Sequence, residues 1–429
     1  MTLPLVLAII ALGLLTGSLL GVIIAGVGLG ILVTDFNANF SVLSNAIWNI
    51  YNSFTLSAVP VFILLGEILG ETGVARRIYQ AISPLFERLP GKLLQTNIAT
   101  CTVFAAINGS STATTAGVGS IAYGELTGRG YAPRPLVGSI AAGGTLGILI
   151  PPSIPLIIYG SWQDVSIGSL FLAAIIPGLL LVGFFMLYIA VSAWLKPDLV
   201  PASDRPQPWG QTLRSLLGAW PFLVLLIAVL GTIAAGVATP TESASLGVVT
   251  ALIIALVYRE LTWARLWRAL RNSVRIFSTL TLVLLGGIIL SQAIALTGIP
   301  RDIIAAVEAV GLSGPTTLVL IFLVYLILGC VMGPIEMMLI TLPFTFPLIV
   351  SLGYDPVWFG IALVILIEAG LLTPPVGVNL FIMNAVTDGQ VSVGAVARAV
   401  LPYWAIMLGT LTLITVIPDL ALALPSFFF

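Results

Sequence analysis

Long apolar runs separated by short polar connections make up most of the chain, and their lengths predict membrane-spanning helices. A helix needs about 20 residues to cross a hydrocarbon core of roughly 30 Å. Residues 2–34 fit either one long helix or two short ones, since Gly17-Ser18 is their only interruption. The chain is therefore predicted to be an all-α polytopic membrane protein. The apolar runs lie at about 2–16, 18–34, 57–72, 135–160, 169–195, 216–236, 241–258, 276–298, 357–386 and 399–419.

Two further apolar stretches, about 95–125 and 315–350, carry a glycine-rich interruption near the middle. Each half has about 12 to 15 residues, which reach roughly half the membrane thickness at about 1.5 Å per residue. These stretches are therefore predicted to be re-entrant helical hairpins, which enter and leave the membrane on one side. Two of the long runs, about 135–160 and 357–386, contain a Pro-Pro pair. They are predicted to be broken helices, because proline donates no N–H and clashes with the preceding turn.

Short motifs recur at one constant spacing and indicate an internal repeat. GRGYAP matches SLGYDP, and at the same spacing GILIPP from Gly147 matches GLLTPP from Gly370. Several weak matches in one order are stronger evidence than any one of them alone. We expect a first repeat at 1–205 and a second repeat at 206–429, each with one hairpin and one broken helix.

The basic residues predict how the chain is oriented, because cytoplasmic loops of membrane proteins are enriched in Lys and Arg. Segment 76–92 is basic, whereas its counterpart in the second repeat, 298–314, carries only Arg301. The two repeats are therefore predicted to face opposite ways, as in inverted-repeat transporters. If successive segments cross the membrane in alternate directions, every Lys and Arg except Arg301 lies in the cytoplasm. These residues occur in segments 76–92, 129–134, 196–214, 259–275 and 387–398.

Three polar or amphipathic segments, 35–55, 74–90 and 260–275, lie between the apolar runs. The last combines arginines with Trp263 and Trp267 and has apolar residues at helical spacing. This pattern is typical of a helix that lies in the membrane interface, with its basic groups toward the lipid headgroups.

Composition excludes several classes of protein. Hydrophobic residues make up 59% of the chain and charged residues 8%, which no soluble domain of this length shows. The absence of histidine excludes a histidine-based catalytic centre, and two cysteines in apolar runs make a disulfide framework or a thiolate metal site improbable. No HExxH or GxSxG motif occurs, so we do not expect an enzyme. We also expect no nucleic-acid partner.

Free backbone carbonyls at the interruptions are candidate ligands for a bare alkali cation. A half-helix that ends inside the protein leaves C=O groups and partial negative charge at its C-terminus, and hydroxyl oxygens are hard ligands that suit such an ion. We expect two Na⁺ sites, each between a hairpin tip and a broken helix, with the first richer in hydroxyls. The first consists of Asn108, Ser110, Gly147 and Pro151, and the second of Gly333, Gly370, Thr373 and Pro374.

Backbone N–H groups at the start of an outgoing half-helix form a ready anion site. The candidate substrate contacts are Ser111, Thr112, Thr145 and Asn379. A competing interpretation is that the interruptions are proline kinks whose hydroxyls bond back to their own helix. Glu368 is an acid within an apolar run, which makes it a functional candidate. A transport role, a protonated carboxyl group and a cap for the broken helix stay open for it.

The motifs around these interruptions resemble the large permease subunit of tripartite ATP-independent periplasmic (TRAP) transporters, in the wider ion-transporter superfamily. Matches run from about residue 20 to 415. One departure is GPIEM at Gly333, where family members often carry an aspartate after the glycine. Among the motifs that carry the resemblance are FAAINGSSTATTAGVGSIAYGELTGRGY from Phe104, GGTLGILIPPSIPLIIYG from Gly143, TPTESASLG from Thr239 and EAGLLTPPVGVNLF from Glu368.

The resemblance implies an elevator-type transporter, in which the hairpins and broken helices move as a block against a scaffold. It implies that two or more Na⁺ ions drive import of an organic anion, commonly a carboxylate, handed over by a periplasmic solute-binding protein. It also implies a small membrane subunit of about four helices and a multi-pass location in the lipid bilayer of a prokaryotic cytoplasmic (inner) membrane. A stand-alone Na⁺/anion symporter of the same superfamily, which needs no partner protein, is the alternative.

Overall fold

The computed structural model describes residues 20–36, 40–201 and 208–428. In this part of the chain the regular structure is helical, and no strand occurs. Six of the described helices are long and apolar enough to cross a membrane. The predicted all-α polytopic membrane fold is confirmed. The apolar run predicted at 2–16 lies outside the described residues, so the question of one or two helices in 2–34 falls partly outside them too.

In the first predicted repeat, the helices around the interruptions are shorter than the long span that follows them. Earlier in this repeat, Gly73 lies in the left-handed region at φ 66° and forms a sharp turn before the helix that begins at Val74. The helices are α1 (Leu20–Phe36), α2 (Phe40–Tyr51), α3 (Ala58–Glu71), α4 (Val74–Phe86), α5 (Leu93–Asn108), α6 (Ser111–Gly128), α7 (Pro133–Gly144), α8 (Ile154–Gln163) and α9 (Ile167–Leu195).

The second predicted repeat has the same alternation of long and interrupted helices. At the start of its second helix, Thr239 and Glu242 form a capping box, which the motif TPTE predicts. The helices are α10 (Trp209–Ala234), α11 (Pro240–Val257), α12 (Trp263–Thr297), α13 (Ile299–Val310), α14 (Gly314–Gly329), α15 (Pro334–Ser351), α16 (Pro356–Leu371), α17 (Val378–Val386), α18 (Val393–Val416) and α19 (Asp419–Phe428).

Both predicted hairpins are present as pairs of contacting half-helices. Hairpin 1 consists of α5 and α6, which meet at Gly109-Ser110, and hairpin 2 consists of α14 and α15, joined by Cys330 to Gly333. Pro334 is the first residue of α15, where its missing N–H leaves no intrahelical bond unmade. That the hairpins are re-entrant stays a prediction.

Both predicted broken helices are also present. A single 3₁₀ turn and a Pro-Pro pair separate α7 from α8, and a loop with the second Pro-Pro pair separates α16 from α17. The peptide bonds Pro151-Pro152 and Pro374-Pro375 are both cis. The division into repeats at 1–205 and 206–429, and their opposite orientation, stay predictions.

The amphipathic segment 260–275 and the apolar run 276–298 form one helix, and the interfacial position of the basic part stays a prediction. Helix α12 runs without a break from Trp263 to Thr297, and its 35 residues extend about 52 Å. The physical reason is local, since neither proline nor glycine occurs in α12 before Gly286. The basic part of α12 is therefore a continuation of a membrane-spanning helix.

Helix α16 forms the centre of the molecule, because every residue from Trp358 to Leu371 is buried. It contacts both halves of hairpin 2, the 3₁₀ turn of the first broken helix, α9 and α18. Helices α1, α3, α11 and α12 pack mainly with one another, and we call them the outer helix group. This arrangement places the interruptions of both repeats in one region of the fold.

Candidate functional site

The tip of hairpin 1 is a tight turn held by its own side chains. Gly109 caps α5 in the left-handed region, at φ 58°, which favours glycine because it has no Cβ. The Asn108 side-chain oxygen accepts the Ser110 N–H and the Thr114 hydroxyl, both at 3.1 Å. Ser110 is the N-cap of α6 and shares a hydrogen bond with Thr112 at 3.1 Å. The predicted ligands at this tip therefore form one compact cluster.

The first broken helix packs directly against this tip. A Cβ built on Gly147 lies 2.6 Å from the Ser110 carbonyl oxygen, and one built on Gly109 lies 2.6 Å from the Pro152 carbonyl oxygen. Only glycine at these two positions allows the two backbones to come so close. Ser110 and Gly147, two of the predicted ligands of the first Na⁺ site, are thus in contact, whereas the carbonyl next to Gly109 belongs to Pro152 and not to Pro151. That they bind Na⁺ stays a prediction.

Thr145, predicted to contact substrate, lies in the 3₁₀ turn at the end of α7. Its side chain is fully buried, and its hydroxyl donates to the Ala142 carbonyl at 2.6 Å. It does not line the cavity described below. Its placement fits the competing interpretation of a hydroxyl that bonds back to its own helix.

Glu368 of the second broken helix reaches the tip of the first hairpin. Its carboxylate accepts a short hydrogen bond from the Ser111 hydroxyl, and the backbone of Ile148 lies beside the same carboxyl group. Glu368 is 1% exposed, and its second oxygen has no hydrogen-bond partner among the described residues. A residue of the second repeat therefore joins the tip and the break of the first. The sequence signal was a lone acid in an apolar run, which identifies the residue but not its contact.

Hairpin 2 contacts the second broken helix one turn earlier than predicted. A Cβ built on Gly370 lies 2.6 Å from the Gly329 Cα, so the two glycines allow close backbone contact. The Gly377 N–H then donates to the Cys330 carbonyl at 3.2 Å. Gly333, the predicted ligand on this tip, is the N-cap of α15, and the nearest atoms to a Cβ built on it belong to Glu336.

Thr373, the predicted hydroxyl ligand of the second site, already has two hydrogen bonds. Its hydroxyl donates to the Ala369 carbonyl at 2.7 Å and accepts the Trp404 ring N–H at 3.0 Å. Pro374 follows it in the cis Pro-Pro pair. The second tip and break therefore converge through backbone atoms, with this hydroxyl engaged elsewhere.

Asn379, the fourth predicted substrate contact, lies in the first turn of α17. It is fully buried, and both atoms of its side-chain amide have no hydrogen-bond partner among the described residues. Leaving a buried polar group unpaired costs about 1–3 kcal/mol, so such groups usually meet a ligand or water. Its neighbour Val378 lines the central cavity, whereas Asn379 itself does not.

A cavity of about 490 Å³ opens where the two hairpin tips face the outer helix group. Hairpin 1 contributes its tip and the start of α6, including Ser111 and Thr112, and hairpin 2 contributes the start of α15. The opposite wall consists of α3 and α12. Gly66 allows α3 of the outer helix group to approach the tip of hairpin 1, since a Cβ built on Gly66 lies 3.0 Å from the Asn108 Cβ. The N-terminal ends of α6 and α15 therefore reach the same space.

The charged side chains that line this cavity are acidic. Glu67 accepts a hydrogen bond from Asn272 at 3.1 Å, and Glu71 pairs with Arg268 at 2.8 Å. Glu336, in the first turn of α15, has no side-chain partner among the described residues. Of the described residues that line the cavity, none is Lys or Arg. A bound anion would have to be balanced by other positive groups.

Comparison with known proteins assigns the chain to a family. The sequence pattern of the family described as tripartite ATP-independent periplasmic transporter, DctM component, matches residues 4–420. The chain belongs to this family. The TRAP permease is a multi-pass protein of the inner membrane, and the resemblance seen in the sequence is confirmed.

Individual relatives support the assignment over most of the chain. The C4-dicarboxylate TRAP transporter large permease protein DctM of Pseudomonas aeruginosa is 37% identical over 376 residues, which cover 87% of this permease and 86% of the relative. Its namesake from Rhodobacter capsulatus is 32% identical over 98% and 99% of the two chains. The crystal structure of the Alcanivorax borkumensis YdaH transporter shares the fold, with a TM-score of 0.62 at 14% identity, over 90% of this permease and 89% of that chain.

Proposed function

We propose that this TRAP permease is the large membrane subunit of a Na⁺-coupled secondary transporter that imports an organic anion, commonly a carboxylate. The observation that carries the proposal is the cavity on which both hairpin tips open, with the N-termini of α6 and α15 at its wall. Two relatives named for C4-dicarboxylates support a carboxylate as the substrate class.

The charge of the cavity supports coupling to a cation. An organic anion gains from the positive ends of two helices, each equivalent to about half an elementary charge. Glu67 and Glu336 oppose this attraction, whereas Glu71 is paired with Arg268, and no Lys or Arg occurs in the described lining. Na⁺ bound behind the hairpin tips would supply the missing positive charge, so that the anion binds well only when the cation is present.

We assign the first Na⁺ site to the backbone and side-chain oxygens around Asn108, Ser110 and Gly147, with Pro151 at its edge. The contact between Ser110 and Gly147 brings the C-terminal end of α5 and the carbonyl-rich break together, which is the arrangement that broken helices offer to Na⁺ in other transporters. The second site is proposed at Gly370, Thr373, Pro374 and the Cys330 to Gly333 tip, on the weaker ground that backbone atoms converge there.

The position of the cavity supports an elevator mechanism. It lies at the boundary between the outer helix group and the hairpins with their broken helices, so a block formed by the latter would carry the site along that boundary. The permease would receive substrate from a periplasmic solute-binding protein and work with a small membrane subunit of about four helices, which would enlarge the outer group.

Reconstitution into liposomes tests the proposal. Uptake of a radiolabelled C4-dicarboxylate is measured with an imposed Na⁺ gradient, with and without a candidate binding protein and small subunit. We expect uptake to require Na⁺ and both partners. Uptake that is indifferent to Na⁺ would contradict the coupling, and uptake by this chain alone would favour a stand-alone Na⁺/anion symporter.

Side-chain variants test the two ion sites in the same assay. Ser110→Ala removes a hydroxyl from the first tip, and we expect it to raise the Na⁺ concentration needed for half-maximal uptake. Thr373→Ala is expected to do the same at the second break. Unchanged Na⁺ activation in both variants would mean that the breaks are structural.

A further inference from the structure

A second cavity, of about 390 Å³, lies between α9, α18 and the start of α7, away from the central cavity. Three of the residues that line it are basic: Arg134, Lys196 and Arg398. All three are exposed, and none forms an ion pair among the described residues. No acidic residue occurs in the described lining. The cavity therefore carries positive charge that nothing in the described lining balances.

The walls of this cavity are largely apolar and aromatic. Tyr188 and Tyr403 meet edge to face, with ring centroids 4.9 Å apart, and Ile189, Leu195 and Pro402 also line the cavity. The aliphatic side chains among them cannot pair with a charged group. They can cover the glycerol backbone and the first methylene groups of a lipid, as apolar surface does throughout a bilayer-facing groove.

The position of the cavity along α9 is that of a membrane interface. The apolar helix ends at Leu195, and the charged connection begins at Lys196. Trp194, just before this end, is 78% exposed, as is typical of the aromatic residues that lie at headgroup level. The basic groups are therefore expected at the height of the lipid phosphates.

The orientation predicted from the basic residues places this cavity on the cytoplasmic side. Arg134, Lys196 and Arg398 belong to three separate segments that the sequence assigns to the cytoplasm, and the fold brings them to one cavity. Anionic lipids are enriched in the cytoplasmic leaflet, and basic pockets between membrane helices on that side recognise their headgroups.

We propose that this cavity binds the phosphate group of an anionic phospholipid. The three cations contact the phosphate, and the apolar walls receive the start of the acyl chains. A free phosphate ion offers similar anionic oxygens, but it leaves those walls uncovered, which distinguishes the two sources of the ligand.

Lipid binding to the purified full-length permease tests the proposal. Delipidated protein is titrated with phosphatidylglycerol, and with zwitterionic phosphatidylcholine as reference, and bound lipid is counted by native mass spectrometry. The site variant is R134Q/K196Q/R398Q. We expect it to bind phosphatidylglycerol on the order of a hundredfold more weakly than the wild type. Each basic group near an anionic lipid surface strengthens binding about fivefold, and the variant removes three of them. Phosphatidylcholine carries the same phosphate beside a choline cation that the basic groups repel, so its binding is expected to change much less.

A matched control removes the same charge elsewhere on the predicted cytoplasmic side. R259Q/R271Q/R275Q changes three exposed arginines outside the cavity. An equal loss in the control and the site variant would show that only the overall charge matters, and would overturn the proposal. Displacement of phosphatidylglycerol by inorganic phosphate at similar concentration would assign the cavity to a free anion and would also overturn it.

Two further variants keep the test decisive if the triple variant does not fold. R134K/R398K preserves both charges, and we expect it to retain phosphatidylglycerol. The single variant R398Q is expected to lose part of the affinity, with its thermal unfolding in phosphatidylcholine unchanged. Loss of binding in the charge-preserving variant, or full binding in R398Q, would contradict recognition by charge at this cavity.

Discussion

The hydrogen bond between Ser111 and Glu368 gives the sharpest test of the central site. Ser111→Ala removes the side-chain donor that holds the carboxylate, while both residues stay in a fully buried region at 2% and 1% exposure. A hydrogen bond to a charged group contributes about 1.5–3 kcal/mol, and one between neutral groups about 0.5–1.5 kcal/mol. The loss of stability therefore reports whether Glu368 is charged in the folded permease.

A double-mutant cycle separates these cases. Glu368→Gln keeps a side-chain oxygen for the Ser111 hydroxyl but removes the charge. If the carboxylate is ionised, Ser111→Ala costs clearly more in the wild-type background than in the Glu368→Gln background. If it is protonated, the two costs are similar and the coupling energy is near zero. The stability of all four proteins is measured by thermal unfolding in one lipid mixture.

The same variants report on transport. If the hydrogen bond positions the first tip for Na⁺, a loss of about 1.5–3 kcal/mol corresponds to a Na⁺ affinity lower by roughly tenfold to a hundredfold. The control is Ser273→Ala, which removes a buried hydroxyl that bonds to its own helix at Ala269. If Ser111→Ala changes neither stability nor Na⁺ activation more than Ser273→Ala does, the contact is incidental and the reasoning fails.

Two further predictions follow from packing and from charge. Gly147→Ala places a methyl group 2.6 Å from the Ser110 carbonyl oxygen, so uptake should be lost, whereas Gly124→Ala, with no atom within 4 Å of the added carbon, should transport normally in the liposome assay. Hydrogen bonds from Arg265 and then Arg77 lower the pKa of Glu260. A lowered folded-state pKa means that its stabilisation is present above the unfolded-state pKa of about 4.3 and is lost as pH falls through the folded-state value. Glu260→Gln should therefore lower the melting temperature at neutral pH and have little effect near pH 3.

Local chemistry explains why the sequence predicts the interruptions well. Glycine at the end of α5 and the Pro-Pro pairs act on their immediate neighbours, so the helix ends at Asn108, Gly144 and Leu371 follow from the residues themselves. The long helix α12 shows the limit of the same reasoning. A basic amphipathic stretch has the composition of an interfacial helix, but without a helix-breaking residue the chain continues as one helix through to Thr297.

Contacts between distant segments could not be predicted in this way. Ser111 and Glu368 are 257 positions apart, and their contact depends on how α16 packs against the first broken helix. The same holds for Gly329 and Gly370, since the sequence around each glycine does not indicate which residue it contacts. Thr145 shows the converse case, in which a residue of suitable chemistry lies near the break but directs its hydroxyl to Ala142.

The two tips differ in the polar groups that meet the facing break. At the second break the Cys330 carbonyl accepts the Gly377 N–H, and the Thr373 hydroxyl has two partners. At the first, the Asn108 oxygen and the Ser110 hydroxyl also have partners, but Glu368 adds a carboxyl group with one oxygen that has no hydrogen-bond partner among the described residues. Because a cation exchanges its hydration shell for several oxygen ligands at once, the proposed first site is expected to bind Na⁺ more tightly than the proposed second site.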